Sequence, residues 1–393
     1  MKKYHCFNRL FIAAGLLGLT TLVQAQNDDA IRLSRNTEPG NTPPIWVSMS
    51  GFTGEAAAVL QFDLYVQGFG FTNANGAQYL ISGSNNGNLE GRVMDHFNKN
   101  ALVSKAYSGS TLRRQAHAFA DDFVQALGRK GIGQTKIAFA VEGGYGKSEV
   151  YVADFDGHSP QPVTRDNSLA AAPCWVPGRF AVYYDSYKLG NPAIFSHDLS
   201  TGARRTVAWY GGSSISPAVS PNGRKVAMIL SKDGWTDLYV ADADGSNIKR
   251  LTKSPEDESS PCWSPDSEWI CYATKIKERR ALCKISASGG SAQRIPTSGV
   301  PNPTEPDWSP DGQWIAFTAQ RGGFEICVVK AEGGEVTELV AGEDPSWAPN
   351  SRTLVFSRRS GGGHLSVLDV PTKQVKDVAR VSSGVNSQPS WAR

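Results

Sequence analysis

Little in this sequence can do covalent or metal chemistry. Histidine and cysteine number six each in 393 residues, and the histidines are scattered without the spacing of metal ligands. No G-x-S-x-G elbow and no H-E-x-x-H pair occurs, so the usual signatures of serine hydrolases and zinc proteases are missing. Beyond residue 25 no segment approaches the roughly 20 apolar residues of a membrane-crossing helix. A one-sided charge is lacking too. The formal net charge of +3 comes from Lys2, Lys3 and Arg9, and the remaining chain carries 37 charges of each sign. Such a chain has no global field to gather nucleic acid or anionic lipid.

What the first 25 residues do contain is an export signal. Their three basic residues precede the apolar run Leu10 to Leu19, and Val23-Gln24-Ala25 supplies small residues for cleavage. Cys6 stands before that run, which does not fit a lipoprotein signal. The expected product is a soluble periplasmic protein with five cysteines, an odd number that rules out a full disulfide framework. Cys174, Cys262, Cys271, Cys283 and Cys327 occupy apolar positions and read as small buried residues. A bridge between Cys262 and Cys271 across the intervening turn is the alternative.

Two fragments imitate ligand sites and fail on detail. "GGYGKS", residues 143–148, lacks the glycine a phosphate loop needs five residues before Gly146 and leads into strand-like "EVYVAD". "DADG", residues 242–245, would set Val240 and Leu251 at the first and twelfth positions of a calcium loop. Both read as turns. No metal or cofactor is expected.

The dominant signal is a repeat. "PCWVPGRFAVYY", "PAVSPNGRKVAM", "PCWSPDSEWICY", "PDWSPDGQWIAF", "PSWAPNSRTLVF" and "QPSWAR" align on Trp175, Val219, Trp263, Trp308, Trp347 and Trp391, spaced 44, 44, 45, 39 and 44 residues apart. A period of about 40 to 45 residues marks a propeller blade. Each unit carries short runs rich in Val, Ile and Tyr, separated by Asp-Gly and Asn-Gly turns, which gives four antiparallel strands. The anchor residues are expected to pack against the neighbouring blade, each ring burying about 150 to 250 Å². Three strands from Lys136 onward have no anchor strand before them, and the C-terminal residues supply one. The expected closure is six blades clasped by both ends of the domain, leaving no free sheet edge.

The fold class is therefore mainly β: a six-bladed β-propeller over 132–393, preceded by a small α/β domain over 45–131 and a mobile arm over 26–44, behind the 1–25 signal. Within the α/β domain "IWVSM", "AQYLIS", "LEGRVMD" and "ALVSKAYS" read as strands and "GEAAAVLQFDLYVQG" as a helix. The clearest element runs from Thr111 to Leu127, with Leu112, Ala116, Phe119, Phe123, Val124 and Leu127 on one face. Ser110 can cap it and Gly128 ends it. One helix packed on a sheet is expected, with His117 as a structural histidine.

An exported chain with this domain order and these W-S-P-D-G blades resembles the TolB family. "LRRQAHAFADDFVQALG", running almost directly into "TKIAFA", is similar to the family's helix, with its Leu-Arg, His117 and Asp121 pattern. The resemblance implies a non-catalytic periplasmic adaptor of the Tol-Pal envelope system. It implies binding of the peptidoglycan-associated lipoprotein Pal by the propeller rim and of TolA through the N-terminal arm. It further implies a role in outer-membrane integrity during division and in transport. The rim positions it points to are Ser213, Ser216 and Ser259. Glu258, Glu305 and Asp344 stand at matching entries and complete the candidate partner-binding set. A monomer without nucleic-acid or membrane-spanning contacts is expected. The alternative is an exported propeller enzyme or small-ligand binder using the channel, for which Asp257, Glu258, Glu305, Glu343 and Asp344 are the available groups.

Overall fold

The computed structural model describes residues 38–381 and 384–393. The expected signal segment and most of the expected arm lie outside the described residues. The end of the arm that is described does not hang free. The Gly40 N–H bonds to the Val370 carbonyl at 2.9 Å and the Thr42 N–H to the Pro371 carbonyl at 3.0 Å.

The α/β domain is built from β1 (Ile45–Ser50), α1 (Gly54–Tyr65), β2 (Phe69–Phe71), β3 (Tyr79–Ser84), β4 (Leu89–Asp95), β5 (Ala101–Tyr107) and α2 (Leu112–Ala126). The sheet order is β2-β1-β3-β4-β5. β1 pairs in parallel with β2 and β3, and the rest is antiparallel. Both helices read from the sequence form, and both share the core, instead of the one packed helix expected: Ala56, Leu60 and Leu64 of α1 meet Phe119 and Phe123 of α2 over Val47, Ile81 and Val93. α1 is short and apolar nearly all round, so its burial is not announced by periodicity. Thr111, not Ser110, caps α2, its hydroxyl accepting from the Arg114 N–H at 3.3 Å.

The propeller has six four-strand blades, counted here from the strand that follows the α/β domain. Blade 1 joins Val385–Trp391 as inner strand to Lys136–Gly144, Lys147–Asp154 and Gln161–Pro162. The inner strands of blades 2 to 6 are Ala170–Trp175, Ser214–Val219, Ser259–Trp263, Pro303–Trp308 and Glu343–Trp347. Blade 5 carries one extra short strand, Thr297–Ser298, on its outer edge. The clasp is as the strand count requires: Trp391 stands opposite Ile137.

Each anchor is buried against the preceding blade. Trp263 packs on Ala227, Ile229 and Val240, and Trp347 on Ala316, Ile326 and Val328. The indole N–H groups of Trp175, Trp263 and Trp347 bond to the carbonyls of Ser390, Ala218 and Asp307, each one residue before the preceding blade's anchor. That same residue reaches back with its side chain. Cys174 Sγ accepts the Val219 N–H at 3.3 Å, Asp307 Oδ2 the Trp347 N–H at 2.7 Å and Ser346 Oγ the Trp391 N–H at 3.1 Å. These inter-blade bonds are why the inner strands do not need ladder hydrogen bonds to one another.

All five cysteines among the described residues are free. Cys262 and Cys271 face each other across the strand pair as unbridged thiols, and Cys174 is used as a hydrogen-bond acceptor rather than as mere filler.

Candidate functional site

The inner strand of every blade contains X-Pro: Ala172-Pro173, Ser216-Pro217, Ser260-Pro261, Glu305-Pro306, Asp344-Pro345 and Gln388-Pro389. Proline has no N–H for the ladder, so pairing with the second strand is interrupted there. The register shifts at that point in all six blades. The residue before each proline takes a positive φ of 46 to 54°. A bulge of this kind re-aims one side chain, and the six re-aimed residues all line one central channel of about 520 Å³.

The ring residues bond from blade to blade. Glu305 Oε2 accepts the Asp344 N–H at 3.1 Å, Asp344 Oδ2 the Gln388 N–H at 3.3 Å, and Gln388 Oε1 the Ala172 N–H at 2.9 Å. On the next blade Asp185 Oδ1 takes the Ser216 N–H at 3.3 Å. Burial, with Glu305 and Glu343 close by, raises the pKa of Asp344 well above the usual carboxylate range. Glu343 is itself held by Nε and Nη2 of Arg359, at 2.5 and 2.8 Å. Burial pushes Asp185 up to about 7 despite its bond from Ser216. Toward the anchor residues Arg393 lines the channel, its guanidinium bonding to the Trp347 carbonyl at 3.0 Å, to the Trp308 carbonyl at 3.2 Å and to Asp307.

Chain direction places everything else. The connections into the inner strands, and the hairpins between second and third strands, lie on the face where the X-Pro ring opens. The other two sets of turns lie on the opposite face. The α/β domain occupies that opposite face: Thr353 Oγ1 donates to the Val66 carbonyl at 3.3 Å and Gln374 Nε2 to the Phe69 carbonyl at 3.1 Å. Its seam with blade 1 holds a charged cluster. His117 Nδ1 lies 2.6 Å from Asp63 of α1, and His117 Nε2 lies 3.5 Å from Asp156 in a blade 1 turn, which Arg113 also pairs.

Ser216, Glu305 and Asp344 line the channel, but three other candidate positions do not. Ser213 lies on the preceding connection, its N–H given to Ser231 Oγ at 2.7 Å. Ser259 stands one residue too early, paired with Ala273, and Ser260 takes the ring position. Glu258 is only 4% exposed, bonded to Ser254 Oγ at 2.9 Å, with its pKa pushed up to about 7 by burial. A buried side chain cannot present itself to a partner. Ala172, Ser260 and Gln388 are the ring members that sequence reasoning missed, although the residue immediately before each blade's proline would have named them.

Residues 123–393 match the family model described as the TolB beta propeller domain. The chain belongs to the TolB β-propeller family. The Tol-Pal system protein TolB of Bordetella pertussis is 32% identical to it over 229 residues, 56% of this chain and 52% of that protein. The protein of the same name from Bordetella bronchiseptica matches to the same extent. The matched stretch thus spans about half the length of these curated relatives. TolB from Acinetobacter baumannii superposes with a TM-score of 0.80 at 21% identity, covering 91% of this chain and 98% of that one. A structure described as putative TolB from Agrobacterium tumefaciens gives 0.52 at 18% identity, over 64% of this chain and 91% of that one. These TolB structures share its fold.

Proposed function

We propose that this chain is a non-catalytic periplasmic adaptor of the Tol-Pal envelope system. In this reading residues 1–25 direct export, and the α/β domain of 45–131 and the propeller of 132–393 act as one body. The face bearing the X-Pro ring binds the peptidoglycan-associated lipoprotein Pal, and the arm of 26–44 engages TolA. The assembly serves outer-membrane integrity during division and the transport of biopolymers. The observation that carries the reading is the ring itself. Six blades each deliver one residue to a single opening, on the face that the α/β domain leaves uncovered. The ring's carboxylates favour binding over catalysis, because Glu305 and Asp344 each hold a backbone N–H of the following blade and are spent on structure.

The test is a titration of the mature chain with the purified periplasmic domain of the organism's own Pal. Ser216→Arg and Gln388→Arg, which crowd the opening, are expected to weaken binding at least tenfold, about 1.4 kcal/mol. Unchanged affinity in both would remove the opening from the interface, and no binding by the unaltered chain would end the reading.

A further inference from the structure

The open face is not uniform around its ring. Among the described residues, the exposed large apolar side chains of the propeller lie on this face with one exception, Phe180. Most of them fall on three successive blades. Tyr145 tips the hairpin of blade 1 and is fully exposed, and Tyr187 and Leu189 tip that of blade 2. Trp235, 54% exposed, sits on the hairpin of blade 3, and Trp209, 55% exposed, on the connection between blades 2 and 3. Lys232 on the blade 3 hairpin covers two further rings, 5.7 Å from Tyr210 and 5.4 Å from Tyr239.

Blades 4 and 5 present something else on the same face. Their hairpin tips carry Lys277, Arg279, Arg280 and Arg321 against Glu278. Lys277, Arg279 and Arg280 enter no ion pair among the described residues, and Arg321 is 61% exposed. No structural need explains aromatic rings in water on three hairpins whose counterparts on blades 4 to 6 carry Ile276, charged residues, serine and glycine but no exposed aromatic ring. Exposed apolar patches of this kind mark contact surfaces, and Trp, Tyr and Arg are the residues that dominate binding energy at protein interfaces.

We infer that the aromatic arc of blades 1 to 3, centred on Trp209 and Trp235, is the main docking surface for a folded protein partner. That partner presents an apolar ridge beside a carboxylate-rich flank, and the flank meets the cationic tips of blades 4 and 5. The inference rests on the adaptor reading and locates its binding energy off the channel axis. A membrane fits less well, because two of the lysines beside these rings, Lys188 and Lys232, are paired with Asp166 and Asp233 instead of standing free for anionic headgroups.

The experiment uses the mature chain, the periplasmic domain of Pal as probe, and anionic phospholipid vesicles as a second arm. Trp209→Ser with Trp235→Ser is expected to weaken Pal binding about 10- to 100-fold, with k_off rising most. Tyr145→Asp, at a side chain wholly in solvent and so without a folding role, is expected to weaken it several-fold. Arg279→Ser with Arg280→Ser should slow association and reduce its salt dependence. Phe180→Ser, on the opposite face, serves as control, and a melting curve confirms each variant is folded. If the unaltered chain binds Pal and the tryptophan pair is dispensable, the arc is overturned while the adaptor reading stands. Sedimentation with the vesicles that depends on Trp209 and Trp235 overturns the protein partner. If Pal does not bind at all, the adaptor reading falls. Photocrosslinking from positions 145, 209 and 235 in cells then decides the arc: a captured protein, purified, whose binding needs the two tryptophans supports it, and no such protein overturns it.

Discussion

Trp391 lies opposite Ile137 with its indole N–H on Thr135 Oγ1 at 2.8 Å, so the last strand of the chain is bonded both to the first strand of the propeller and to the linker before it. Trp391 is 2% exposed and stacks 5.9 Å from Phe155. Trp391→Ala is expected to cost about 3 to 5 kcal/mol in urea unfolding. Deleting 384–393 removes the whole inner strand of blade 1 and should abolish the cooperative transition. An unchanged midpoint in either case contradicts the clasp.

The seam between α2 and blade 1 makes stability depend on pH. His117 is held between Asp63 and Asp156, and these carboxylates keep its pKa above the ordinary histidine value despite burial. Its contribution is complete below the ordinary value and is lost as pH rises through the folded one. Asp121 acts in the same sense, because burial raises it to about 6 and its protonated form favours the folded state. Thermal stability should fall from pH 5 toward pH 8, and His117→Gln should flatten that slope while lowering stability by about 3 to 5 kcal/mol at pH 5.

A second acid-stabilised group of carboxyls lies on or beside the first two strands of blades 2, 4 and 6. Asp185 and Glu258 are both raised to about 7 by burial, and Asp344 is raised by burial and by Glu305 and Glu343. All three favour folding when protonated, an advantage that disappears as pH rises through these raised values. Asp344→Asn keeps the shape and an oxygen for the Gln388 N–H. The variant is expected to melt higher than the parent at pH 8 and no higher at pH 4. A lower melting temperature at both would show that the charge itself is needed.

Asp307 ties together Trp347 and Arg393. Asp307→Ala leaves the Trp347 N–H and a guanidinium without their acceptor and is expected to cost about 1 to 3 kcal/mol. Ser346→Ala removes one neutral bond at the equivalent place and should cost about 1 kcal/mol. Equal effects in chemical denaturation would argue that Arg393 adds nothing.

The blades are legible in the sequence because every one meets the same demand, an anchor residue buried against its predecessor and a turn right after it. Even Val219, with no indole, is found by its register. The ring around the opening is legible only to within a residue. Ser259 is the last residue in register before the bulge formed by Ser260 and Pro261, and strand alternation counted from Trp263 cannot foresee a register shift that exists because proline lacks an N–H. The seam cluster is hidden for another reason. His117 and Asp63 are 54 residues apart, and a lone histidine on an apolar helix face gives no hint of which carboxylates will enclose it. Trp209 and Trp235 look in sequence like any turn-flanking aromatics, and only the strand order shows that they share a face.

The order in which this ring is assembled has a consequence for its biogenesis. A polypeptide synthesised N-terminus first presents the second, third and fourth strands of blade 1 early, but their innermost partner, Val385–Trp391, arrives after every other blade has emerged. Until then the sheet beginning at Lys136 has an open edge, able to pair with any stray strand. Delivery of the chain must therefore outrun aggregation over the whole span between Pro162 and Val385.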